Sequence, residues 1–159
     1  MATFSDAAGV DWQLRVTVGA INRVRESTGV ELDKCLEDNM AVLHEMLVDI
    51  CKVVDVVYSI CRQQAVERNV SAEEFGERMV GDSVTKATDA LIESLIDFFP
   101  KRQSEILKAT MRKMKTVEDA LAQKTMKLIQ EFDDVDVDQL LNSVTSSQES
   151  SVSTLTDSR

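Results

Sequence analysis

Residues 40–68 read MAVLHEMLVDICKVVDVVYSICRQQAVER, a run of 29 positions with neither glycine nor proline. Apolar side chains recur at Leu43, Met46, Leu47, Ile50, Val53, Val54, Val57, Ile60, Cys61 and Ala65. That is the i, i+3, i+4, i+7 spacing of one helical face. Glu45, Asp49, Lys52, Asp55, Ser59 and Arg62 follow the opposite side. Val42, Val48, Val56 and Tyr58 narrow that polar strip, so such a helix is covered by neighbours on most sides. The pattern predicts one long central helix, capped by Asp38 or Asn39. The β-branched residues lower helix propensity without breaking the period. The charges at 45, 49, 52, 55 and 62 speak against a membrane span.

The fold class that follows is mainly α: a compact helical bundle around this central helix. Only five glycines and one proline occur in 159 residues, which favours long helices and few turns. Aromatic residues are 4% of the chain, so Leu, Val, Ile and Met must fill the core. At the N-terminal end, Trp12, Leu14, Val16 and Val18 alternate with Gln13, Arg15 and Thr17, the period of a half-buried strand. Asp6-Ala7-Ala8-Gly9 is a turn signal. A small β-hairpin is expected, residues 2–5 against 11–18, with Trp12 anchoring it to the helices. A short helix over 19–28, closed by Gly29, and a helical turn through Leu32, Cys35 and Leu36 lead to the central helix. Ser71 and Glu74 form a capping box opening a short helix through Met79. Gly81 interrupts, and Asp82 is placed to cap a helix ending at Phe99, before Pro100. Val84, Ala87, Leu91, Leu95 and Phe98 mark its core side.

Residues 101–132 predict a helix of another kind. Leu107, Met114, Leu121 and Leu128 sit seven apart, with Met111, Val117 and Phe132 nearby. The seam is thin, closer to a coiled-coil stripe than to a core face. Eight bases and three acids lie between Lys101 and Lys127, inside a chain whose net charge is −10. Lys101, Lys108, Arg112 and Lys115 share one side. The segment reads either as a solvated edge helix or as a seam for a partner helix, steered by its bases toward an acidic one. Candidate partner-binding residues are Leu107, Lys108, Met111, Arg112, Met114, Leu121 and Leu128. The domain reading is thus 1–100 for hairpin and helical core, 101–132 for the basic helix, and 133–159 for a disordered C-terminal tail. That tail holds six acids and one base and is rich in Ser and Thr.

An acidic chain repels phosphates, so nucleic acid is not expected as a partner. No membrane partner, cofactor or metal is expected either. Three cysteines without CxxC spacing, and an N-terminus without a basic region and apolar core, suggest a reduced intracellular protein with small buried thiols. His44 is the single histidine, too few for a zinc set. Asp134, Asp136 and Asp138 imitate the start of an EF-hand loop, but Gln139 replaces the required glycine and Thr145 the bidentate glutamate. No nucleophile, base and orienting group are assembled, so no enzyme is expected.

Two stretches carry a resemblance. The first is FSDAAGVDWQLRVTVGAINRVRESTGVEL, residues 4–32. The second spans residues 53–100, with Tyr58-x-x-Cys61, Gln63-x-x-x-Glu67-Arg68, Ser71-x-Glu73-x-Phe75-Gly76 and the closing Phe98-Phe99-Pro100. Together they resemble the tail assembly chaperones of long-tailed bacteriophages and prophages. The resemblance implies a non-enzymatic protein of the host bacterial cytoplasm, absent from the mature virion. It would bind the tape-measure protein, keep it soluble and help present it to the tail tube protein. In many such phages a frameshift yields a second, longer product that recruits the tube subunits. The competing expectation is a minor structural or adaptor subunit of a tail or head-tail joint, which would remain in assembled particles.

Overall fold

The computed structural model describes residues 2–133, and the expected tail beyond Asp133 lies outside the described residues. The order of elements is β1 (Ala2–Ser5), β2 (Asp11–Leu14), α1 (Val18–Thr28), two 3-10 turns, α2 (Ala41–Val48), α3 (Ile50–Glu67), α4 (Ala72–Glu77), α5 (Asp82–Phe98) and α6 (Lys101–Asp133). Mainly helical, with a small N-terminal hairpin, is the observed class. The chain divides into two units, Met1–Met111 and Arg112–Arg159, so the first includes the opening turns of α6 rather than ending at residue 100.

β1 and β2 pair antiparallel, with Phe4 opposite Trp12 and Ala2 opposite Leu14. These four are buried while Thr3, Asp11 and Gln13 are exposed, the alternation expected of a strand wet on one face. Asp6 builds the turn. Its Oδ1 accepts the N–H groups of Ala8 (3.0 Å) and Val10 (2.8 Å), and Gly9 takes φ +76°, which costs a residue without Cβ little. Its Oδ2 accepts the indole N–H of Trp12 at 3.0 Å and lies 3.7 Å from the Arg78 guanidinium. The expected second strand is too long by four residues. β1 offers only four partners, so pairing stops at Leu14 and Val16 instead donates its N–H to Ser94 Oγ of α5 (2.8 Å). Thr17 then caps α1, its Oγ1 accepting the Ala20 N–H, and Val18 is an exposed helical residue. Gly29 closes α1 at φ +74°, as its sequence position predicts.

A two-stranded sheet is marginal alone, and here helix side chains complete it. The Gln64 amide of α3 mimics a third strand, accepting from Gln13 N–H (3.0 Å) and donating to Gln13 C=O (2.6 Å). Arg68 donates to Asp11 C=O (2.7 Å). These bonds occupy the free edge of β2, which would otherwise invite pairing with another chain.

The central helix is not continuous. It breaks at Asp49, giving α2 and α3. Asp49 is extended (φ −103°, ψ 101°) and its carboxylate accepts the Lys52 N–H at 3.2 Å, the work of an N-cap residue. An unbroken helix of 29 residues would be about 43 Å long, whereas roughly 20 residues already span a small domain. The bend keeps Leu43 and Met46 of α2 and Val53, Val56, Val57, Ile60 and Cys61 of α3 in one core. It also leaves Val48 and Ile50 exposed, although a continuous helix would put Ile50 on the apolar face. The expected cap at Asp38 or Asn39 is likewise replaced. Asp38, Asn39 and Met40 all take positive φ (46°, 55° and 62°), and Met40, without a side-chain cap, precedes α2. Left-handed backbone costs about 1–2 kcal/mol per ordinary residue, so packing of the flanking segments must offset it.

Ser71 caps α4 through Glu74 N–H at 3.1 Å, but the Glu74 carboxylate bonds Arg78 rather than reaching back. Only half of the capping box forms. At α5 the cap position belongs to Gly81 (φ 56°, ψ −129°), a conformation suited to glycine, and Asp82 is the first helical residue. Ala87, Leu91 and Leu95 are buried as expected, and Ser83, Ala90 and Ser94 join them. Val84 and Phe98 are half-buried.

Cys35 and Cys61 are buried, but Cys51 is exposed beside the break, contrary to the expectation of three buried thiols. Burial pushes the Cys35 thiol up to about 11 and the Cys61 thiol up to about 12. A neutral thiol reagent at pH 8 is therefore expected to modify Cys51 alone in the folded protein and all three in urea, as counted by mass spectrometry. Both raised values lie above the ordinary thiol value of 9.0. The unfolded chain therefore binds fewer protons than the folded one above pH 9. The stability held by the two neutral thiols is complete below pH 9 and lost as pH rises through about 11 to 12. Between pH 9 and 11, melting should fall more steeply for the wild-type chain than for Cys35→Ala/Cys61→Ala.

Candidate functional site

Helix α6 contains every candidate residue, and the structure divides them. In its first turns Ser104 and Leu107 are buried and Met111 is half-buried against the core. Leu107, at 0% exposure, has no surface left for a partner, which corrects its place among the candidates. Its heptad position is occupied by the monomer's own core. Lys108 pairs with Glu105 at 3.2 Å, the one ion pair of α6 among the described residues.

From Arg112 to Gln130 every residue is exposed. Met114 is 41% exposed, Val117 59%, Leu121 60% and Leu128 48%. At about 100° per residue these four fall within roughly 60° of one another. They make a contiguous apolar strip rather than single exposed side chains. Lys115 borders it on one side and Lys113 and Lys124 on the other, by the same helical spacing. Glu118 and Thr125 occupy the alternate heptad positions, so the strip is one side chain wide. Ile129, also exposed, was not singled out by the seven-residue repeat. Its signal is the eight-residue spacing from Leu121, the other helical neighbour of that face.

In the first unit the large apolar side chains exposed among the described residues are Val18, Val48, Ile50, Val66, Val80 and Ile106, and they do not recur at the spacing of one helical face. One open cleft of about 300 Å³ is lined by Thr28, Gly29, Val30, Glu31, Val42, Glu45 and Lys52. A second, of about 560 Å³, is lined by Arg15, Val16, Thr17, Ser94, Asp97 and Phe98. Ser94 and Thr17 there already serve Val16 N–H and Ala20 N–H. Among the described residues no three His, Cys, Asp or Glu side chains are grouped to hold a metal ion. Nor is any described helix long and apolar enough to cross a membrane.

No protein-family model, curated protein or solved structure matches this chain.

Proposed function

We propose that the protein is a non-enzymatic tail assembly chaperone of a long-tailed bacteriophage or prophage, acting in the host bacterial cytoplasm. In this reading it binds the tape-measure protein, keeps it soluble and promotes its use by the tail tube protein. The observation that supports the reading is the exposed strip Met114-Val117-Leu121-Leu128 between lysines. A long amphipathic helix docks by laying its apolar residues along such a face. Methionine in the strip adapts to partners of varied shape. The surrounding bases favour a partner helix with acidic flanks and speed encounter more than they hold the complex.

Co-expression with a tape-measure protein tests this. The wild-type chain is expected to raise the soluble fraction of that protein, and no gain in solubility would reject the chaperone reading. Met114→Asp/Leu121→Asp is expected to fold, by circular dichroism, and to lose that effect. A folded double variant that keeps the partner soluble would remove α6 as the binding surface. Arg112→Glu is expected mainly to slow association and weaken its salt dependence, read by stopped-flow mixing at several ionic strengths.

A further inference from the structure

We infer that the α6 strip takes an amphipathic helix whose acids lie along one border of its apolar stripe, and that Lys113 and Lys124 fix the direction in which that helix lies. The inference rests on the reading of the strip as a helix-docking face and adds to it the partner's charge pattern and orientation. The two borders of the strip differ. Lys113 stands one residue before Met114 and Lys124 three after Leu121. At about 100° per residue both fall on one side, roughly 60–80° round from Leu121. Both are exposed, and neither has an acid three or four residues away along the helix. The other border holds Glu118, four residues after Met114, and Thr125, four after Leu121. Lys115, farther round on that side, precedes Glu118 and Asp119 by three and four residues. At that spacing opposite charges on a helix offset each other. One border is therefore basic and the other is not.

A border of bases without offsetting acids is complementary to an acidic border. Which border of the partner meets it depends on direction. Two helices packed along their stripes bring unlike borders together when parallel and like borders together when antiparallel. A partner with acids one before and three after its apolar residues carries them where Lys113 and Lys124 stand here, and so lies antiparallel. A partner with acids one after and four after its apolar residues lies parallel. In the wrong direction the acids of either would face Glu118. A second copy of α6 fits neither case. Antiparallel, it sets the lysine border against itself; parallel and in register, it sets Lys124 against Lys124, like charges that oppose association.

The test uses the full chain with Cys51→Ser and Gln130→Cys, the new thiol carrying an acceptor dye at the C-terminal end of the strip. Two helical peptides of about 21 residues, three heptads, share one composition, with leucine at every seventh position and a donor dye at the N-terminus. One has glutamate one before and three after each leucine, the other one after and four after. The ends of the strip, Arg112 and Gln130, lie about 27 Å apart along the helix, so direction is read as energy transfer. The first peptide is expected to give high transfer and the second low transfer. Lys113→Glu/Lys124→Glu changes two exposed side chains. It is expected to keep the fold, by circular dichroism, and to weaken both peptides several-fold, an effect that added salt diminishes. Equal transfer from the two bound peptides, or unchanged affinity in the lysine variant, would overturn the inference while leaving helix docking in place. Binding by neither peptide would overturn both, whereas the tape-measure reading is judged separately by co-expression. Sedimentation of the unlabelled chain as a dimer that Leu121→Asp abolishes would give the strip to a second copy and overturn the inference as well.

Discussion

Trp12→Ala is expected to cost about 3–5 kcal/mol of folding stability, the range for removing a large buried aromatic. The indole is fully buried and joins three elements. Phe75 of α4 meets it edge-on with centroids 4.9 Å apart, and Tyr58 of α3 packs on Phe75 at 5.4 Å. The Arg68 guanidinium lies 4.8 Å from the indole ring centre, and the indole N–H bonds the buried Asp6 carboxylate. The substitution opens a cavity and removes one donor from a buried charge, both unfavourable. Trp12→Phe retains a six-membered ring, loses the donor and leaves a smaller void, so it should cost less, on the order of 1–3 kcal/mol. Trp12 is the chain's one tryptophan, so urea unfolding must be followed by circular dichroism. A near-neutral Trp12→Ala would mean that the hairpin does not dock through this residue.

The other large effect separates two leucines of one heptad series. Leu107→Asp is expected to unfold the first unit, because it buries an unpaired carboxylate at a fully buried position, a lesion of several kcal/mol. Leu121→Asp, two heptads on, is expected to change stability by less than about 1 kcal/mol, as an exposed substitution with a modest loss of helix propensity. Thermal melts of the two variants decide it. If both unfold the protein, the α6 strip is covered by core-like packing in solution. If both are neutral, α6 does not enter the core at Leu107.

From the residues alone these leucines are equivalent, since each is apolar at the same heptad position. What distinguishes them is whether other elements come within reach, and a helical period reports only which side of the helix a residue lies on. The candidate strip was therefore legible as a pattern but not as a surface. Met114, Leu121 and Leu128 are exposed, Leu107 is not, and Met111 lies between. The same limit explains the central helix. Its apolar period runs through Asp49 without a sign of interruption, because a good N-cap residue is also tolerated on a polar face. The break appears in the fold as an extended Asp49 that caps α3, with core residues on both sides of it.

What the sequence determined by itself is local. Alternation at Trp12 and Leu14, the Asp6–Gly9 turn, Gly29 at the end of α1, Ser71 at the start of α4 and Pro100 after α5 each act through neighbours a few residues away. Backbone sterics and short-range hydrogen bonds settle such features before any long-range contact forms. Tertiary structure decided the features whose partners lie far along the chain. Gln64 completes the sheet edge at Gln13, Ser94 receives Val16, and Asp6 lies near Arg78. The reason is that a polar group leaving water must find some partner, while which partner it finds depends on the packing of the whole core.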